Sequence, residues 1–224
     1  GPLVASFDML ENYFITQGRE WERYAWIKAR VMNGERFREL EAISRPFIFR
    51  KYLDFGAINA MRELHAQIRR EVARRDMADN IKLGAGGIRE IEFIAQVFQL
   101  IRGGRDRALQ IKPTVEVLRR LGERGILDAP AVAELTTAYD FLRRLEHRLQ
   151  YLDDAQTHTL PANAGDQAMI ARAMGYSDYP ALLRVLGDHR ERVNRHFEDV
   201  FANPAEDQHR LDALWAGAED VKHT

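Results

Sequence analysis

A glycine-rich bend that runs directly into an apolar helix constrains this chain more than any other sequence feature. Gly84, Gly86 and Gly87 permit a positive φ or a close backbone approach. Apolar residues then recur at helical spacing around most of the circumference between residues 88 and 101. A helix that is apolar nearly all round must be buried. We therefore predict a central core helix that begins at the bend and ends at Gly103.

The few polar residues of this helix fall on one face. Arg89, Glu92, Gln96 and Gln99 are spaced i, i+3, i+7 and i+10, which places them in a narrow stripe. Such a stripe needs polar partners or water. One interpretation is a core helix whose first-turn glutamates favour the positive end of the helix dipole. The other is a wall that faces a neighbouring polar surface.

A phosphate-binding loop is a poor interpretation of the bend. The glycines are not followed by the Gly-Lys-Ser/Thr ending of such loops, and no convincing strand precedes them. Glu90 and Glu92 would also repel a phosphate at this helix N-terminus. These residues argue against a P-loop or a dinucleotide site.

Helical periodicity continues along the chain, and no pair of strands is visible. Ser6 is a suitable N-cap for a first helix that ends near Thr16. We predict that a later short helix ends near Arg45, because a residue before proline avoids the helical region. The further predicted helices cover residues 19–32, 35–43, 54–75, 112–124, 128–153, 166–174 and 179–201, with a weak helix after 203.

These helices predict an all-α bundle of about eight to ten helices with no substantial sheet. We divide it into an N-terminal helical segment at 1–52, a helical bundle at 53–202 and a tail or linker at 203–224. The first residues, Gly-Pro-Leu-Val, include no initiator methionine, so we expect an excised segment of a longer protein.

Composition narrows the class of partner. Lys and Arg number 33 against 34 Asp and Glu, for a formal net charge of -1, which argues against nucleic acid or an anionic membrane as a ligand. Cysteine is absent, which excludes disulfides and thiolate metal sites. No apolar run is long enough to span a bilayer. We expect a cytoplasmic protein.

The sequence shows no catalytic or metal-binding signature. None of the seven histidines lies in an H-E-x-x-H motif, and we interpret them as surface residues. The serines lie in no G-x-S-x-G context. Asp153 and Asp154 are adjacent, so their side chains would point about 100° apart on a helix. We interpret the arginines around Arg69 as a solvated helix face, and we predict no metal ligand and no catalytic residue in this chain.

Several blocks of the sequence resemble a known family. KLGAGGIREIEFIAQVFQLIRGG at 82–104, RPFIFRKYLDFGAI at 45–58, GREWERYAWIKAR at 18–30 and FLRRLEHRLQYLDDAQTHTLP at 141–161 are similar to the glutamine synthetase adenylyltransferases. The resemblance runs in order from residue 1 to about residue 201. This family carries two nucleotidyltransferase modules in one chain. Each module is followed by a helical domain, and the PII uridylyltransferases have a similar helical domain.

The resemblance implies a position and a role. LGAGGIREIEF agrees with the N-terminal half of that family, which removes AMP from glutamine synthetase by phosphorolysis. The family's metal-binding aspartates lie in an upstream segment that this chain does not contain. Mg²⁺ and the nucleotide, ATP or ADP, are then expected to bind outside this chain, and we expect the chain alone to be inactive.

The resemblance also implies candidate contact residues. We predict that the wall facing the nucleotidyltransferase module consists of Gly86, Gly87, Arg89, Glu90 and Glu92. Weaker candidates for phosphate or domain contacts are Arg23, Lys28 and Arg50.

Expected partners are glutamine synthetase, the PII signal protein and the parent's own nucleotidyltransferase modules. Neither nucleic acid nor a membrane is expected as a partner. The alternative interpretation is a non-catalytic domain that binds PII or glutamine synthetase.

Overall fold

The described residues of the chain fold into helices joined by loops. A computed structural model describes residues 4–50, 63, 66–67, 69–72, 74, 78–152 and 157–201. Within these ranges the only β-structure is an isolated antiparallel bridge between Asn80 and Thr159. The prediction of an all-α fold is confirmed. The helices with described ends are α1 (Phe7–Thr16), α2 (Glu20–Ile27), α3 (Phe37–Ile48), α4 (Ile88–Arg102), a 3₁₀ turn (Arg107–Leu109), α5 (Thr114–Glu123), α6 (Ala129–Leu152), α7 (Ala164–Ala173) and α8 (Tyr179–Phe201).

The first three helices pack through aromatic rings. Ser6 caps α1 as predicted, because its side chain accepts a hydrogen bond from the Met9 N–H at 3.2 Å. Phe14 of α1 stacks on Phe47 of α3, with ring centroids 4.2 Å apart, and meets Trp26 of α2 edge-on. Offset and edge-to-face aromatic pairs of this kind add to the apolar area that they bury.

The predicted end of α3 near Arg45 is wrong, because the helix continues through Pro46 to Ile48. Pro46 has no N–H and therefore removes one intrahelical hydrogen bond. The Phe49 N–H still reaches the Arg45 carbonyl at 2.8 Å. Burial of Phe47 and Ile48, each 6% exposed, stabilises the extra residues of the helix. Tertiary packing therefore overrides the local preference. The predicted second helix, by contrast, ends early, at Ile27.

The central helix α4 has the predicted bounds and position. Its apolar residues Ile88, Ile91, Ile94 and Ala95 are completely buried. Helices α2, α5, α6 and α8 all pack against it. Contacts with these four helices therefore fix the position of both ends of α4.

The C-terminal helices follow their sequence periodicity closely. Helix α6 buries a row of leucines, and α8 spans the predicted residues 179–201. One interpretation fails here: His189 is only 8% exposed and packs on the Phe141 ring at 4.6 Å, so it is not a surface histidine. Most of the predicted helix 54–75, the Asp153–Asp154 pair and the tail at 203–224 lie outside the described residues.

Candidate interface at the start of the central helix

The glycines of the bend are required by packing within the chain. Gly86 has a φ of +69°, and a Cβ added there would lie 2.6 Å from the carbonyl carbon of Arg190 in α8. A Cβ on Gly87 would meet three backbone oxygens, among them that of Ile81 at 2.8 Å. The bend therefore lies directly against α8. Arg190 completes the contact by donating from Nε to the Ala85 carbonyl at 2.7 Å.

Glu90 holds this bend from inside. Its side chain is buried and accepts a hydrogen bond from the Gly86 N–H at 2.8 Å. The Arg69 guanidinium binds the other carboxylate oxygen, with Nε at 3.0 Å. Arg69 also donates to Asn194 of α8 at 2.7 Å and lies over the Phe197 ring. A buried carboxylate with such partners ties three parts of the chain together.

Gly86, Gly87 and Glu90 were predicted as part of a wall that faces a neighbouring module. The structure instead buries all three against groups of this chain. Their geometry gives them a role in holding the start of α4, so the predicted wall depends on Arg89 and Glu92.

The far end of the polar stripe is also satisfied internally. Gln99 is completely buried, and its amide donates to the carbonyls of Leu109 and Ile111 at 2.6 and 2.7 Å. Gln96 is buried and donates to the Tyr24 carbonyl at 3.3 Å. These two glutamines anchor the loop after α4 and the helix α2. They leave only the near end of the stripe accessible.

That near end forms a half-buried group of polar side chains contributed by four helices, which we name the Arg89 cluster. Glu92 accepts a hydrogen bond from the Tyr139 hydroxyl at 3.1 Å. Lys28 donates to the Thr114 hydroxyl at 3.0 Å and to the Lys112 carbonyl. The Arg89 Nε is buried, and no described residue accepts a hydrogen bond from it. The members of the cluster are Tyr24, Lys28, Arg89, Glu92, Thr114 and Tyr139.

Burial changes the acid–base properties of this cluster. It raises the pKa of Tyr24 well above its usual range and raises that of Tyr139, whose phenol also lies beside the Glu92 carboxylate. Both phenols therefore stay protonated, and the Tyr139 hydroxyl donates to Glu92. Burial lowers the pKa of Lys28, while Glu92 opposes that change. The cluster offers donors and one carboxylate at the protein surface, which suits a polar interface rather than covalent chemistry.

Of the three weaker candidates for phosphate or domain contacts, two form contacts within the chain and one belongs to the Arg89 cluster. Arg23 is only 2% exposed and donates to the Ile48 carbonyl from Nε at 3.3 Å and from a terminal nitrogen at 3.1 Å. Glu20 pairs with Arg23 and lies 3.2 Å from Arg50. These contacts fasten α2 to the end of α3. Only Lys28 belongs to the Arg89 cluster.

A second surface feature was not predicted from the sequence. A cleft of about 680 Å³ lies between α3 and the loop after α2, within the described part of the chain. Val31, Met32 and Phe37 are exposed there by 40%, 78% and 45%. The sequence signal for it is the pair of apolar stretches on both sides of the Asn33–Gly34 turn, but the predicted helix 19–32 contains Val31 and Met32, whereas the helix ends at Ile27. Exposed neighbouring apolar groups of this kind mark interaction surfaces.

The described residues offer neither a metal site nor a membrane-spanning helix. Within these ranges no group of three or more histidines, aspartates or glutamates has the arrangement of a metal site. No described helix is long and apolar enough to cross a membrane.

Comparison with known proteins gives the chain a family. Residues 1–45 match the family model described as glutamate-ammonia ligase adenylyltransferase, and residues 62–201, more than half of the chain, match the one described as GlnD PII-uridylyltransferase. A bifunctional glutamine synthetase adenylyltransferase/adenylyl-removing enzyme of Aromatoleum aromaticum is 71% identical over 99% of this chain. The chain belongs to the glutamine synthetase adenylyltransferase family. The resemblance stated from the sequence is thereby confirmed.

Further members of the glutamine synthetase adenylyltransferase family give the same picture. Enzymes with the same bifunctional name from Chromobacterium violaceum and Nitrosomonas europaea are 62% identical over 96% and 90% of this chain. The chain covers 24%, 24% and 22% of the three relatives' lengths. It therefore spans about a quarter of the proteins that it matches, and the helical region described above is similar to that segment of these adenylyltransferases.

Proposed function

We propose that this chain is the helical domain that packs on the nucleotidyltransferase module that removes AMP from adenylylated glutamine synthetase. Phosphate attacks the adenylyl–tyrosine bond in this reaction, which gives ADP and the unmodified synthetase. In this proposal Mg²⁺ and the adenine nucleotide belong to the neighbouring module, which supplies the chemistry of phosphoryl transfer. The helical domain supplies a wall of the cleft.

The observation that carries this proposal is the Arg89 cluster. Its buried Arg89 Nε has no acceptor among the described residues, and a buried unpaired donor costs about 1–3 kcal/mol. An acceptor contributed by a module packed over this end of α4 would remove that cost once the partly exposed Arg89 side chain turns toward it. The relatives extend well beyond the length of this chain, which is compatible with such a module in this proposal.

The structure also explains how the cluster would be held in place. Glu90, one residue beyond Arg89, is fixed by Gly86 and Arg69, so the first turn of α4 cannot rotate freely. Glu92 is fixed by Tyr139. Groups that are held before a partner arrives lose little entropy when it binds.

The test is phosphate-dependent release of AMP from adenylylated glutamine synthetase by the full-length enzyme that carries this segment. We expect Arg89→Gln and Glu92→Gln to lower the rate at least about tenfold, the effect of one charge-assisted hydrogen bond. Arg184→Gln is the matched control, because Arg184 is exposed on α8, a helix that contributes no residue to the cluster. Equal rates for all three variants would remove the proposal.

A second candidate function is supported by the cleft between α3 and the loop after α2. Its exposed apolar side chains favour a domain that binds another protein, either PII or glutamine synthetase, without taking part in catalysis. Under this alternative, Phe37→Ala weakens binding of one of these proteins in a titration. Arg89→Gln then leaves both binding and AMP release unchanged.

A further inference from the structure

Three basic side chains converge on one buried carboxylate outside the Arg89 cluster. Glu146 of α6 is 1% exposed. Its Oε1 lies 3.4 Å from the Lys82 Nζ and 3.1 Å from the His158 Nδ1. Its Oε2 accepts a hydrogen bond from Arg143, one turn earlier on the same helix. The three bases come from three separate segments: the glycine bend, α6 and the strand-like stretch after α6.

The backbone fixes these segments relative to one another. The Ile81 N–H donates to the His158 carbonyl at 2.8 Å, and Asn80 forms the isolated bridge with Thr159. The Asn80 side chain also accepts a hydrogen bond from the Lys82 N–H at 3.0 Å. The positions of the bases are therefore set by the fold. Preorganised donors of this kind are what an anion site requires.

The outer side of the group faces solvent and is basic. The side chains of Lys82, Arg143 and His158 are 32%, 37% and 23% exposed, whereas that of Glu146 is 2% exposed. Glu146 forms an ion pair with Lys82 and accepts one hydrogen bond from Arg143, and among the described residues neither of these two cations has a further side-chain partner. Lysine has three donors and arginine has five, so most of their donors remain available.

The local charge has the sign that an anion needs. Lys82 and Arg143 carry two positive charges against the single negative charge of Glu146. Burial lowers the pKa of His158, and the charges of Lys82 and Arg143 act in the same direction while Glu146 opposes them. An anion bound at this place would oppose the lowering, which provides a spectroscopic signal.

We propose that Lys82, Arg143 and His158 form a binding site for a phosphate group, carried either by inorganic phosphate or by a nucleoside monophosphate. The arginine fork and the lysine ammonium match the several oxygens of a phosphate dianion. The buried Glu146 carboxylate holds the three basic side chains in place. This site lies outside the Arg89 cluster, so the proposal does not depend on the function proposed above.

The test is titration of the 224-residue chain with inorganic phosphate and, separately, with AMP, followed by calorimetry and by NMR of the His158 ring. We expect saturable binding of phosphate and a rise in the His158 pKa as the site fills, because ligand and proton binding are reciprocally linked. We expect Arg143→Gln to weaken binding at least about tenfold, the effect of a lost charge-assisted hydrogen bond.

Arg144→Gln is the matched control, because it removes the same charge from an exposed neighbouring position of α6. We expect it to change the affinity less than about twofold, as for a screened surface charge. Lys82→Gln provides a second test that leaves Arg143 and His158 on Glu146, in case Arg143→Gln unfolds the chain. Circular dichroism checks the fold of each variant.

The two ligands distinguish the two sources of the phosphate group. Equal affinities for phosphate and AMP mean that the phosphate group alone is recognised, whereas tighter binding of AMP means that the nucleoside contributes as well. The proposal is overturned if neither ligand binds and the His158 pKa stays constant. It is also overturned if Arg144→Gln weakens binding as much as Arg143→Gln, because the basic face of α6 would then attract anions without a site.

Discussion

Replacement of Gly86 by alanine tests how the start of the central helix is held. Gly86 has a φ of +69°, which costs an L-residue about 1–2 kcal/mol. The new Cβ would also lie 2.6 Å from the Arg190 carbonyl carbon, so the bend and α8 must separate. Overpacking of this kind costs about 1–3 kcal/mol more. The predicted loss is therefore roughly 2–5 kcal/mol of unfolding free energy.

Gly125→Ala is the matched control for this prediction. Gly125 has a similar φ of +64°, but a Cβ added there meets nothing within 4 Å. Its expected cost is only the backbone term of about 1–2 kcal/mol. Urea unfolding of both variants measures the two losses, and thermal unfolding should show melting temperatures lower by roughly 10 °C for Gly86→Ala and 4 °C for Gly125→Ala. Equal losses would refute the close packing of the bend on α8.

The remaining predictions concern buried polar groups and pH. Gln99→Leu leaves the Leu109 and Ile111 carbonyls without their donor, so we expect a loss of about 2–4 kcal/mol in urea unfolding, and an unchanged midpoint would contradict the role given to Gln99. Tyr139→Phe removes the hydroxyl that donates to Glu92 and also lies beside the Thr114 hydroxyl, and should cost about 1 kcal/mol in urea unfolding; an unchanged midpoint would contradict the role given to this hydroxyl. Burial lowers the pKa of His189 below its usual value near 6.5, so the unfolded chain takes up this proton first. The corresponding stability is complete above about pH 6.5 and decreases as the pH falls below that value. His189→Gln should flatten this decrease below about pH 6.5, and an unchanged pH profile would argue against the buried neutral ring.

Much of the fold followed from local sequence signals. The bend, the apolar circumference of α4 and the leucine spacing of α6 each predicted an element that the structure contains, because burial and helical periodicity agree there. The end of α3 was mispredicted because Pro46 gives a strong local signal whereas the burial of Phe47 and Ile48 is a tertiary effect. Periodicity cannot show which apolar residues a distant helix will cover.

The site was only partly accessible to sequence reasoning. The spacing of the stripe placed Arg89, Glu92, Gln96 and Gln99 on one face correctly, but it could not show that Leu109, Ile111 and Tyr24 supply carbonyls for the glutamines. Arg69 was interpreted as part of a solvated face, yet it binds the buried Glu90 across 21 residues. Partners that are distant in the sequence leave no local pattern.

The same limit applies to the group around Glu146. Lys82, Arg143 and His158 lie in blocks that carried the family resemblance, but their convergence depends on the bridge between Asn80 and Thr159. No spacing rule connects a residue of the bend with one that follows α6. The structure was required to bring these three bases together.

The most direct test of the central claim is the accessibility of residue 89 in the chain alone and in the full-length enzyme. The chain contains no cysteine, so Arg89→Cys introduces a single reactive thiol in this segment, and its labelling rate can be followed by mass spectrometry of the peptide. Arg119→Cys, at a position whose arginine side chain is 61% exposed, is the control. The account predicts that labelling at residue 89 becomes at least about tenfold slower in the full-length enzyme, because a packed module excludes the reagent, while labelling at residue 119 stays constant. Equal labelling of residue 89 in both proteins would contradict the claim that a catalytic module covers the start of the central helix.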